Sequence, residues 1–261
     1  MLAGKTVLVT GANRGLGLEV TKRVLGEGGR VVLACRDVRA GQQVVAEQLR
    51  QQQASCGVVG LDAAKPASVS QLIDWVKARK GDKIHGLVNN AAIYPDVWTP
   101  EVFSECVDTN VRGPCSLTTG LAPHMAEGGV VVMVSSGYGQ RHYLSQEYLT
   151  AIESAQSLEQ LLQGCQYVAG SAMGKQEVGM YKLSKAMLNR ATQLLAKDPA
   201  LTAARIAVNA VDPGWCRTRM GGPSATRPAE EGGESIFWAL VHGSVPGVTG
   251  GFYAFGRPIE W

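Results

Sequence analysis

Short, continuously apolar runs alternate along this chain with longer stretches whose apolar residues recur every three or four positions. The runs Thr6–Thr10 (TVLVT), 31–34 (VVLA), 58–61, 84–88, 130–135 (VVVMVS), 206–211 and 252–255 read as strands. The stretches 15–26, 38–53, 68–80, 100–125, 178–197 and 229–241 carry the helical period. Strands without polar alternation are buried on both faces, so helices must cover both sides of a parallel sheet. Right-handed crossovers then predict an α/β, doubly wound, Rossmann-like sheet of about seven strands. No Pro/Ser-rich linker and no internal repeat divides the chain, so residues 1–261 are expected to form a single domain.

The rhythm breaks once, between the fifth strand and the helix at 178–197. Residues 137–177 hold a helical patch, Leu158–Tyr167 (LEQLLQGCQY), and a Gly/Ser-rich tail at 169–174. A connection of this length is functional or disordered, and the apolar stripe of the patch favours an ordered insert.

The first strand runs into Thr10-Gly11-Ala12-Asn13-Arg14-Gly15-Leu16-Gly17. This G-x-x-x-G-x-G turn opens a helix. Gly11 permits the sharp turn, Gly15 lets the backbone approach a pyrophosphate, and Gly17 allows close helix–strand packing. A glycine-rich turn without a ligand is the plainer alternative, but the strand–turn–helix setting favours a dinucleotide. The second strand ends Ala34-Cys35-Arg36-Asp37, with no acid at the end position that commonly accepts a ribose 2′-hydroxyl. Arg14 and Arg36 offer charge-assisted bonds to a 2′-phosphate. NADP(H) is therefore favoured over NAD(H), although Asp37 leaves a ribose contact open.

Composition narrows the class. The chain is 45% hydrophobic with a net charge of +3, too small a charge to imply nucleic-acid or membrane binding. No apolar run is long enough to span a bilayer. Cys35, Cys56, Cys106, Cys115, Cys165 and Cys216 form no C-x-x-C pair. Free thiols in a reducing compartment, without a metal site, are the reading, and a soluble cytoplasmic protein is expected.

Tyr181-Lys182-Leu183-Ser184-Lys185 places a phenol and an ammonium four residues apart on one helix face. The spacing alone is weak, since such pairs recur by chance. Its weight comes from TGANRGLG (10–17), Asp62 after the third strand, NNAA (89–92) after the fourth, Asn110 in DTNV, Ser135-Ser136 after the fifth and PGWCRT (213–218) after the sixth. In this order the chain resembles the short-chain dehydrogenase/reductase family over essentially its whole length.

The resemblance implies that Tyr181 is the general acid of carbonyl reduction and that Lys185 lowers its pKa and binds the nicotinamide ribose. Ser136 would hydrogen-bond the substrate carbonyl; Ser135 remains the alternative, and the family alignment favours Ser136. Asn110 would hold a water in a proton relay. The cofactor would be held by Gly11, Asn13, Arg14, Gly15, Leu16, Gly17, Arg36, Tyr181 and Lys185. Asp62 and Asn89, with neighbours Ala63 and Ala91, would seat the adenosine half, and Pro213, Gly214, Trp215 and Thr218 would embrace the nicotinamide.

Ser136 and Tyr181 lie 181 − 136 = 45 residues apart, far more than in most of the family. That insert, the segment PGWCRTRMGGPSATRPAEEGGE (213–234) and the final Trp261 resemble the monomeric carbonyl reductase subgroup, which includes plant menthone and salutaridine reductases. The subgroup implies a monomer, with the insert over the helix face that other members use to associate. Departures are NNAA for NNAG, Arg219 where the subgroup has Asp, and Met133 where it has Asn.

Tyr94, Trp98, Tyr138, His142, Trp215 and Met220 are candidates to line the substrate site, or else to pack its lid. They suit a small hydrophobic carbonyl compound (ketone, aldehyde or quinone). No G-x-S-x-G accompanies His142, which argues against a Ser-His-Asp hydrolase. Two alternatives stay open: an NAD(P)+-dependent alcohol dehydrogenase, and a nucleotide-sensing protein without catalysis.

Overall fold

The computed structural model describes residues 2–79, 81–172 and 179–261. Eight strands form one sheet in the order β3-β2-β1-β4-β5-β6-β7-β8. They are β1 (Thr6–Thr10), β2 (Arg30–Cys35), β3 (Cys56–Gly60), β4 (Ile84–Asn89), β5 (Met125–Val134), β6 (Ala207–Asp212), β7 (Phe252–Ala254) and β8 (Arg257–Pro258). All neighbours pair in parallel except β7 and β8. The order reverses at β1, where chains leave for opposite directions and open the crevice that such sheets use for ligands.

The central strands bury both faces. Val7 and Val9 of β1 face one apolar layer and Leu8 the other. The first layer packs beneath α1 (Gly15–Gly26) and α10 (Ala229–His242). The second packs beneath α3 (Pro66–Lys77), α5 (Gly113–Leu121) and α8 (Met180–Leu195). Among the described residues no helix is long and apolar enough to cross a membrane.

Boundaries differ from the sequence reading where local chemistry outweighs periodicity. The 38–53 helix stops as α2 (Val38–Gln48), followed by a 3-10 segment, Arg50–Ser55, that leads into an earlier start for β3. The 100–125 stretch is not one helix. It is α4 (Pro100–Val107), a π-helical turn at Asp108–Arg112, then α5 and a short 3-10 turn, with Met125 already in β5. Pro114 explains the break, because it brings no N–H to the Asn110 carbonyl; the Gly113 N–H instead reaches the Asp108 carbonyl. The short α9 (Pro199–Ala203), capped by the Asp198 carboxylate, and the antiparallel β8 are too short to show a period.

The insert is ordered as α6 (Gln146–Ser154) and α7 (Leu158–Ala172). α6 was not foreseen, and the patch at 158–167 extends further than expected, into the Gly/Ser-rich stretch; 173–178 lie outside the described residues. Tyr148, Ile152, Leu161, Cys165 and Ala169 of the insert join Met180, Leu183, Met187 and Leu188 of α8 in one buried cluster. Arg190 of α8 donates to the Ala155 carbonyl at 2.6 Å, tying the joint between the insert helices to the same helix.

Leu161 is fully buried in this cluster. Leu161→Ala is expected to destabilise the protein by about 2–5 kcal/mol, read from urea unfolding. A cost within experimental error would show that the insert contributes nothing to the core.

Candidate active site

Tyr181 and Lys185 lie in the first two turns of α8, which runs beside the C-terminal ends of β5 and β6. Lys185 is 2% exposed, and its ammonium donates to the Val134 carbonyl at 2.7 Å. Its Nζ stands 5.4 Å from the centre of the Tyr181 ring. Burial pulls the Lys185 pKa down to about 8, partly opposed by the electrostatic influence of Cys106 and Asp212.

Burial pushes the Tyr181 pKa above the ordinary tyrosine value, and the hydrogen bond with Ser136 only partly offsets this. The Lys185 ammonium lies beside the ring and is bonded to the Val134 carbonyl. The phenol, its pKa raised, stays protonated at neutral pH, as a proton donor needs.

The two serines divide their work. Ser135 is 2% exposed and donates to Asn189 Oδ1 at 2.5 Å, while Asn189 donates in turn to the Gly139 carbonyl at 3.2 Å. That pair clamps the loop after β5 to α8. Ser136 is half-buried, caps the next turn by accepting from Tyr138 N at 3.2 Å, and is the serine hydrogen-bonded with Tyr181. Asn189 went unnoticed in the sequence, although its place one turn beyond Lys185 on the same face was a usable signal.

Asn110, in the π-helical turn, is buried. Its amide accepts from Ile93 N at 2.9 Å and donates to Ile93 O at 3.0 Å and Ser184 Oγ at 2.9 Å. Its side chain thus ties the segment after β4 to α8, leaving only its main chain for a water relay.

The glycine turn is built for a close approach. Gly11 has a left-handed φ of 65°, and a methyl group on Gly17 would lie 2.4 Å from the Gly11 carbonyl oxygen. Asn90 braces the turn: its amide donates to the Thr10 carbonyl at 2.8 Å, and Asn90 N and Ala91 N both donate to Thr10 Oγ1. Asn89, expected to seat the adenosine half, is instead 2% exposed with its amide turned to Thr118 Oγ1 and Met133 Sδ. Its Oδ1 is buried without a hydrogen-bond partner among the described residues, and the second asparagine of NNAA holds the turn. Asp62 is half-buried and folds back on its own turn, accepting from Ala64 N at 3.2 Å, beside buried Ala63.

Arg14 and Arg36 are exposed, and among the described residues neither forms an ion pair. Asp37 caps α2 by accepting from Ala40 N at 3.0 Å. Across the crevice, the loop after β6 approaches the glycine turn. A methyl group on Gly232 would touch both Leu16 and Cys216, and one on Gly15 would lie 3.4 Å from Thr218. Asn13 and Leu16 are half-buried on that side, and Pro213 is buried. Such a cradle, too tight for side chains and flanked by unpaired guanidinium groups, fits a dinucleotide pyrophosphate.

Among the substrate candidates, the Tyr94 ring lies 4.5 Å from that of Tyr181. Tyr138 and His142 meet through Tyr143, at 5.3 and 4.1 Å between ring centres, and Lys182 lies over Tyr138 and Tyr143. Trp98 is stacked on Phe103 at the edge of the core. Trp215 and Met220 are exposed on the loop after β6, where the indole N–H donates to the Gly221 carbonyl. A further carboxylate escaped the sequence reading. Asp212, at the tip of β6, accepts from Gly214 N at 2.9 Å; an acid immediately before PG at a strand end was the available signal.

Residues 5–155 match the family model of short chain dehydrogenases. Carbonyl reductase [NADPH] 1 of Sus scrofa is 31% identical over 280 residues, covering 98% of this chain and 94% of that protein. The (+)-neomenthol dehydrogenase of Arabidopsis thaliana is 31% identical, covering 87% of this chain and 88% of its own length. The structure of salutaridine reductase from Papaver somniferum superposes with a TM-score of 0.83 at 26% identity, covering 95% of this chain and 99% of that one. A tyrosine, a buried lysine and a serine gathered beside a glycine cradle on this sheet thus agree with likeness along nearly the full chain: the protein is an oxidoreductase belonging to the short-chain dehydrogenase family.

Proposed function

We propose that the protein reduces the carbonyl group of hydrophobic ketones, aldehydes or quinones to alcohols, with NADPH as the hydride donor. The observation that carries this reading is a half-buried phenol hydrogen-bonded with Ser136, with the buried Lys185 ammonium beside its ring. When bound, the nicotinamide supplies hydride to the carbonyl carbon. Ser136 Oγ and Tyr181 Oη hydrogen-bond the carbonyl oxygen and stabilise the charge that develops there. Tyr181 gives its proton to that oxygen, and the ammonium of Lys185 stabilises the phenolate left behind. A phenol that is protonated at neutral pH is ready to donate, which suits the reductive direction. The residues to hold the dinucleotide are the Gly11–Gly17 turn, Thr218 and the backbone of the loop after β6, with Lys185 on the nicotinamide ribose.

Arg14 and Arg36 support the 2′-phosphate, since both are exposed and without ion pairs while Asp37 is engaged as a helix cap. The aromatic group of Tyr94, Tyr138, Tyr143 and His142 supports a hydrophobic substrate. The cover that α6 and α7 place over α8 supports a monomer, and six free cysteines support a cytoplasmic location.

Tyr181→Phe is expected to lower kcat by about 10²–10⁴-fold in NADPH oxidation with a panel of apolar carbonyl compounds, while the NADPH dissociation constant stays unchanged. Equal rates in the two proteins would remove Tyr181 from the chemistry. Replacing Arg14 and Arg36 together by alanine is expected to weaken NADPH by roughly 10–100-fold and leave NADH nearly unaffected, the loss expected of charge-assisted bonds. Tighter binding of NADH than NADPH by the unaltered protein would overturn the cofactor assignment.

A further inference from the structure

Asp212 is the acid nearest the chemistry that the proposed mechanism does not use. Its Oδ1 accepts from Gly214 N at 2.9 Å, which fixes the start of the loop after β6. Its Oδ2 points the other way. A methyl group on Gly137, next to Ser136, would lie 3.0 Å from that oxygen. The carboxylate therefore stands between the serine loop and the loop after β6, over the C-terminal ends of β5 and β6. Its charge acts on Tyr181 and Lys185 of α8 and on Cys216 of its own loop. It makes no ion pair within 4.0 Å among the described residues, and the Lys185 ammonium bonds to Val134 rather than to it. A turn cap needs one oxygen, and the second lies against Gly137, the neighbour of Ser136.

We propose that Asp212 sets the charge balance of the hydride-transfer site, favouring the cationic oxidised nicotinamide over the neutral reduced one. Tighter holding of the oxidised ring favours the products of carbonyl reduction, whereas a carboxylate acting on Tyr181 works against the phenolate that reduction leaves. This rests on the functional reading above, in which the ring of the dinucleotide lies against the Pro213–Thr218 loop. The charge of the ring changes when it gives up hydride, and that of Tyr181 when it gives up a proton. A fixed carboxylate attracts the first product and opposes the second. Reduction thus leaves a new positive charge beside Asp212, while the phenolate it creates is left to Lys185. The other groups facing Tyr181 and Lys185 are Tyr94 from the segment after β4 and Cys106 from α4. Arg227 acts on Cys216 from the far side of the loop and is itself paired with Glu231. Neither tyrosine nor thiol carries a formal charge in its protonated form, so among the described residues these interactions bring Asp212 and Lys185 to the site as its charged groups.

Asp212→Asn keeps the oxygen that Gly214 N needs and removes the charge. Calorimetric titration of the full chain with NADP+ and with NADPH gives the ratio of the two dissociation constants. In Asp212→Asn that ratio is expected to shift by roughly tenfold against NADP+, the size of one charge acting across several ångströms of protein. Asp212→Glu, which keeps the charge, should hold the ratio near that of the unaltered protein even where both nucleotides bind more weakly. The rate of alcohol oxidation against pH provides a second readout: its rise should move to lower pH in Asp212→Asn, because the phenolate loses an opposing charge. A loop that merely packs badly would weaken both nucleotides alike and leave the profile in place. An unchanged ratio in a variant that still binds both nucleotides overturns the role of Asp212 and leaves the carbonyl reductase reading intact. Failure of the unaltered protein to bind either nucleotide overturns both.

Discussion

A lysine ammonium at 2% exposure is the constraint around which the rest of this structure is organised. Burying an ammonium is costly unless it finds polar partners. Lys185 has three N–H donors, and one of them takes the Val134 carbonyl at the tip of β5. That bond requires α8 to lie close against the strand end. The neighbouring Ser135–Asn189–Gly139 bonds hold the same contact from the side, and Asn110 reaches across from the π-helical turn to Ser184. The insert then covers the outer face of α8 with Ile152, Leu161 and Cys165. A helix clamped on three sides can keep a phenol and an ammonium in fixed relation, and that fixity is what proton transfer to a substrate demands.

Burial has opposite effects on the two groups and gives them complementary roles. It disfavours the charged form of each, so the Tyr181 phenol is harder to ionise and the Lys185 ammonium easier to discharge. The donor is therefore loaded before the substrate arrives. Charge appears only as the reaction proceeds, and Lys185 and Asp212 are the groups proposed to meet it. Ser136, rather than the buried Ser135, stands where a carbonyl oxygen can share the phenol's hydrogen bond.

Much of this was legible in the chain. Unbroken apolar strands and period-four helices fixed the parallel sheet, since burial on both faces leaves no other arrangement for TVLVT or VVVMVS. The glycine turn was legible because Gly11 and Gly17 meet steric demands that other residues fail. What stayed hidden depended on partners distant in sequence. The side chain of Asn89 turns toward Thr118 and Met133, which no local pattern shows, and Asn90 braces the turn instead. The break at Asp108–Arg112 was encoded by Pro114 but masked by a strong apolar period. α6 lacked a long stripe because it buries only Tyr148 and Ile152. The desolvation of Tyr181 was hidden for a related reason: it is set by the whole fold.

The most direct test of this account is the titration of Lys185 itself. Heteronuclear NMR of the lysine side-chain signals, with Lys185→Met for assignment, reads its protonation against pH in the free protein. The account predicts a titration near pH 8, the value to which burial lowers it. A midpoint at the ordinary lysine value of about 10.4 would contradict it, because the ammonium would then be solvated and α8 not clamped against β5 as described.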